Sequence, residues 1–121
     1  MRSGLEVLLD DLGGLRDARV GLCCNPTAVD RNLDHAVDLL SAARLNLVRL
    51  FGPEHGVAAT AQDMIGVGRD EERAHPVETV SLYGEDEASL HPDPETLADL
   101  DVLLFDIHDI GSRYYTYQAT L

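Results

Sequence analysis

Three short, almost unbroken apolar runs decide what this chain can fold into. They cover residues 19–24, 45–51 and 101–107, and each is cut off by a turn or a polar cluster: Asn25-Pro26, Gly52-Pro53 and His108-Asp109. A strand with apolar side chains on both sides must be covered on both faces, which is the condition of a parallel sheet packed between helices.

The intervening segments supply the helices. Residues 4–12 carry Leu5, Leu8, Leu9 and Leu12 at helical spacing before Gly13-Gly14 halts the pattern. Residues 30–43 place Leu33, Ala36, Val37, Leu40 and Ala43 on one stripe, the mark of a second amphipathic helix. A weak alternation over 77–83 predicts a further strand, Pro94 opens a short helix, and Gly111-Ser112 begins a last helix over 113–121. Alternating strands and helices predict an α/β fold: a Rossmann-like parallel sheet with helices on both faces. The turn after the first strand, Cys24-Asn25-Pro26-Thr27, has no glycine to admit a pyrophosphate, so a dinucleotide site is not expected and no other cofactor is implied.

A length of 121 residues fits one domain, 1–121, and an apolar fraction of 45% suits a folded core. No apolar run is long enough to span a bilayer. A net charge of −13, with nine Arg and no Lys, works against nucleic acid or an anionic membrane surface as partner. The opening Met-Arg-Ser-Gly-Leu-Glu lacks the regions of a secretory signal, which predicts a cytoplasmic protein, or an extracellular one if a leader has been trimmed. Cys23 and Cys24 are adjacent in a strand and point to opposite faces, so they read as buried packing residues rather than a disulfide or a zinc pair. His75 and His91 lie beside prolines in irregular stretches and read as surface residues, leaving no metal set. The connection over 56–76 is longer than most, a length that suits a functional loop.

Ligands of an open parallel sheet bind outside the carboxyl ends of its strands, and the unusual polar residues of this chain collect there. Asn25-Pro26-Thr27 follows the first strand, Pro53-Glu54-His55-Gly56 the second, and Asp106 to Asp109 the last. Glu54 sits in a tight turn where partial shielding would raise its pKa and suit it to general acid catalysis, although spacing alone fits a solvent-exposed turn carboxylate equally well. His55 orients Glu54, contacts substrate or caps a helix. Asp106 is an acid in an apolar strand and needs a partner, either Arg113, a substrate or backbone N–H groups. Asp109 and Ser112 are candidate caps for the last helix. Arg113 and Tyr114 lie four and three residues before Tyr117 and share its helix face, a cationic and aromatic surface that suits a sugar ring with an acidic substituent, or an interdomain core.

The motifs Asn25-Pro26-Thr27-Ala28-Val29-Asp30, Leu50-Phe51-Gly52-Pro53-Glu54-His55-Gly56, Ser81-Leu82-Tyr83-Gly84 and the run from Asp101 to Tyr117 together resemble the exo-β-N-acetylmuramidase family. The resemblance implies a Rossmann-like amino-terminal domain facing a second α/β domain across an active cleft, with release of N-acetylmuramic acid from the non-reducing end of peptidoglycan fragments. It implies Glu54 as the catalytic residue, and Asn25, His55, Asp106, Asp109, Arg113, Tyr114 and Tyr117 are then expected to shape the substrate site. A peptidoglycan-derived saccharide is the expected partner, with a carboxyl-terminal domain or a second chain completing the cleft. Three departures from the family pattern are Val57-Ala58-Ala59, where an aromatic, an Arg and a Gly are usual, His108 in place of Gln, and a chain that stops where the second domain should begin, which predicts an incomplete domain: a fragment, a split subunit or a degenerate copy.

Overall fold

The structure, a computed structural model, describes residues 1–52, 77–82 and 92–108. Ser3 starts helix α1 (Gly4–Asp10) by a reciprocal cap: its hydroxyl accepts from the Glu6 amide at 3.2 Å while its own amide donates to the Glu6 carboxylate at 2.8 Å. The helix stops two residues short of the expected Leu12. The Asp11 amide turns back to the Leu8 carbonyl, and Gly13, at φ 46, opens a 3-10 turn, Gly13–Asp17.

Four strands complete the frame: β1 (Val20–Cys24), β2 (Leu47–Gly52), β3 (Glu78–Ser81) and β4 (Val102–Asp106). They form one sheet in the order β3-β2-β1-β4, every neighbouring pair parallel. The wholly apolar β1 takes an inner place, where both its faces are covered. Helix α2 (Ala36–Ala42) lies between β1 and β2 in the chain, and the short α3 (Pro94–Leu97) between β3 and β4.

The chain steps outward from β1 to β3 and then returns past β1 to β4. Because parallel crossovers are right-handed, that reversal carries α3 to the face opposite α2. On one face Leu22, Cys24 and Leu50 pack with Leu5, Val37 and Leu40. On the other, Cys23, Phe51 and Leu82 pack with Leu97, Leu100 and Phe105. Each large side chain so buried contributes about 1.5–3 kcal/mol. Cys23 and Cys24 are both free and point to opposite faces, as a strand requires.

The second helix begins six residues later than the expected 30. Asp30 is the physical reason: its Oδ1 accepts from the amides of Asn32 (2.8 Å) and Asp34 (3.0 Å), folding the segment into a turn that competes with helix. Leu33, expected on the buried stripe, is instead 78% exposed at a left-handed φ of 68. At the opposite end the Leu45 amide donates to the Leu40 carbonyl and the Arg44 amide to that of Ser41, a Schellman close with Arg44 at φ 61. At the amino-terminal edge of the sheet Arg19 grips Asp101 through Nε and a terminal nitrogen (3.1 and 3.0 Å), joining the entry of β1 to that of β4. No described helix is long and apolar enough to cross a membrane. The expected helix over 113–121 lies outside the described residues.

Candidate functional site

Since all four strands run the same way, Cys24, Gly52, Ser81 and Asp106 end at one edge. The strand order reverses about β1, with β2 and β3 on one side and β4 on the other. The gap between the carboxyl ends of β1 and β4 is therefore the topological switch point, where open α/β sheets bind ligands. Asn25 leaves β1 at this gap and Asp106, Ile107 and His108 leave β4.

Asn25 is 6% exposed and anchors the β1–α2 connection. Its Oδ1 accepts from both the amide (3.0 Å) and the hydroxyl (2.6 Å) of Thr27, an Asx-type turn. Its backbone carbonyl accepts from the Ala28 amide and meets Nε2 of His35, each at 3.0 Å. His35, itself 8% exposed, is the cap of α2: Nδ1 accepts from the Val37 amide at 3.3 Å. Sequence reasoning passed over His35. The signal was the run Asp30-Arg31-Asn32-Leu33-Asp34, whose side chains favour a turn and so move the helix cap to the residue after Asp34.

Asp106 pairs with Cys24 in the β1–β4 register and its side chain keeps 24% of its exposure. Burial pushes the Cys24 thiol up to about 12, with smaller contributions from Cys23 and the Asp106 charge. Among the described residues the ionic neighbour of Asp106 is His108, whose Nε2 stands 4.0 Å from Oδ1 and which carries charge only when protonated. Behind Asp106 lies a hollow of about 290 Å³ under α1, walled by Leu5, Leu8, Leu22, Leu40 and Leu104. Its lining is apolar apart from Asp106, a chemistry suited to packing rather than to a saccharide.

The structure thus brings Asn25, Asp106 and His108 to one edge. Glu54, His55, Asp109, Arg113, Tyr114 and Tyr117 lie outside the described residues; in sequence, Glu54 follows the end of β2 by two positions. No group of three or more metal-ligating side chains occurs among the described residues.

Residues 20–121 match the family model described as exo-beta-N-acetylmuramidase NamZ, N-terminal. The whole chain aligns at 42% identity with the peptidoglycan beta-N-acetylmuramidase NamZ of Bacillus subtilis (strain 168), spanning 29% of that protein's length. Two crystal structures of DUF1343 family proteins from Bacteroides fragilis NCTC 9343 are similar. One has a TM-score of 0.75 at 41% identity, covering 98% of this chain and 29% of that one. The other has a TM-score of 0.65 at 27% identity, covering 96% and 28%. With its parallel sheet, its switch-point residues and a family match over most of its length, this chain belongs to the exo-β-N-acetylmuramidase NamZ family, in the amino-terminal portion of that family's sequence.

Proposed function

We propose that this chain provides the acid-bearing wall of a glycoside hydrolase site that releases N-acetylmuramic acid from the non-reducing end of peptidoglycan fragments. The observation that carries the reading is the parallel alignment of β2, β1 and β4, which sends Gly52, Asn25 and Asp106 out at one edge, with Glu54 next but one to Gly52. The name of the Bacillus relative supplies the substrate class.

In this reading Glu54 protonates the glycosidic oxygen as the bond from C1 breaks, and water then delivers its hydroxyl to C1 and its proton to Glu54. Asn25, His55, Asp106, Asp109, Arg113, Tyr114 and Tyr117 shape the muramoyl site. Asp106 or Asp109 acts as the second carboxylate or steers the substrate's own acetamido group toward C1. A second domain or chain forms the facing wall.

The test is turnover of a chromogenic N-acetylmuraminide by the chain and by Glu54→Gln. Turnover that the substitution reduces at least about 100-fold, the lower range for a lost general acid, supports the enzyme. A second reading is a non-catalytic muropeptide-binding or assembly module. Equal binding without turnover in both proteins would establish it.

A further inference from the structure

Every acceptor of Asn25 is engaged, whereas its side-chain donors have no partner among the described residues. The backbone carbonyl receives the Ala28 amide and His35, and Oδ1 receives the Thr27 amide and hydroxyl. Because the Thr27 N–H must meet an oxygen, it settles which end of the Asn25 amide is which and leaves Nδ2 as the open end. No described residue accepts from Nδ2, although Asn25 is 6% exposed. Among the described residues this buried NH₂ group at the switch point has no acceptor, and a ligand can supply one.

His35 holds this group in place. Its Nδ1 accepts from the Val37 amide, so the ring proton lies on Nε2 and donates to the Asn25 carbonyl. One buried ring thereby ties the carboxyl end of β1 to the first turn of α2. We infer that Nδ2 of Asn25 donates to the acetamido carbonyl oxygen of an N-acetyl amino sugar, and that His35 is the positioning residue that aims it. The inference rests on the saccharide reading of the proposed function and adds which atom of the sugar is read.

The charge at the edge selects the acceptor. Asp106 leaves the neighbouring strand at the same level as Cys24, so a ligand carboxylate beside it would meet like charge in a chain already at −13. A secondary amide meets none: its C=O takes the Asn25 donor, and its N–H suits the Asp106 carboxylate.

Binding of N-acetylmuramic acid and of its 2-deoxy analogue, which lacks the acetamido group and adds no charge, is monitored through the side-chain NH₂ signals of ¹⁵N-labelled protein. The acetylated sugar should shift the Asn25 NH₂ pair and bind roughly threefold to tenfold more tightly than the 2-deoxy analogue, the range for one neutral hydrogen bond. Asn25→Asp keeps the Oδ acceptor for Thr27 and removes only the donors, so it should abolish the preference. His35→Asn keeps a good helix cap but is too short to reach the Asn25 carbonyl; it should remain folded, with a lowered melting temperature for the lost buried bond, and lose the preference. Equal binding of the two sugars, or binding that leaves the Asn25 NH₂ signals unmoved, overturns the Asn25 assignment and leaves the saccharide reading standing. An unchanged preference in His35→Asn overturns the positioning role alone. Failure to bind either sugar removes both readings together.

Discussion

Cys24 on β1 and Asp106 on β4 occupy the same rung of the parallel ladder, so a buried thiol and a partly exposed carboxylate share the last paired position before the switch point. Burial governs the reactivity of the thiol. Both Cys24 and Cys23 are pushed up to about 12, which leaves almost no thiolate at neutral pH. The native protein should therefore react with neither of its cysteines in an aromatic disulfide assay at pH 8. Both should react at once in urea. Fast labelling of the native protein would contradict the packing of β1.

Gly21 makes a sharper demand on the sheet. A Cβ there would lie 2.6 Å from Leu100 Cδ1 and 3.1 Å from both Leu103 Cδ1 and Phe51 Cε2. The leucine methyls can yield by changing rotamer, but the Phe51 ring is 1% exposed and has little room. Gly21→Ala should destabilise the fold by about 1–3 kcal/mol, the usual cost of overpacking. A urea midpoint equal to that of the parent would show that this face is looser than its packing indicates.

Arg44 offers the opposite opportunity. It occupies the left-handed position of a Schellman close, at φ 61, where glycine carries no Cβ penalty. The left-handed conformation costs a residue with a Cβ about 1–2 kcal/mol, part of which glycine returns through its greater freedom when unfolded. Arg44→Gly should stabilise by about 0.5–1 kcal/mol, read as a rise in melting temperature. Loss of stability would mean that the Arg44 side chain contributes more than its backbone strain costs.

Acid should weaken the fold through two carboxylates. Hydrogen bonds from Arg31 and from the Ser3 amide hold Glu6 at about 2, and those from Arg19 hold Asp101 at about 2. Unfolded carboxylates titrate near 4, so the folded values are depressed. The stabilisation is therefore complete above about pH 4.5 and is lost as pH falls toward about 2. Asp101→Asn should flatten the dependence of the urea midpoint on pH across that window while leaving the Glu6 contribution. An unchanged slope would remove any role for the Arg19–Asp101 pair in acid sensitivity. The pairs are exposed, so the change in slope is small and its direction is the test.

Much of this architecture was legible in the chain because buried parallel strands advertise themselves as apolar runs. Val20 to Cys24 and Val102 to Asp106 fall within the runs expected of them, and β2 starts two residues later than expected and extends one residue further, to Gly52. The helices were less exact for a physical reason. Periodicity records which residues would share a face if the helix formed, and it does not register a side chain that offers the backbone another partner. Asp30 does so, and the segment that placed Leu33 on a buried stripe became a turn with that leucine in water.

The sequence by itself determined the class of fold, since that arises from local hydrophobic patterning, and it set which polar residues follow each strand. Tertiary structure alone decided that β1 and β4 are neighbours, and that His35 reaches ten residues back to the Asn25 carbonyl. Strand order and side-chain contact depend on how distant segments share one buried volume, which no local window of the chain contains.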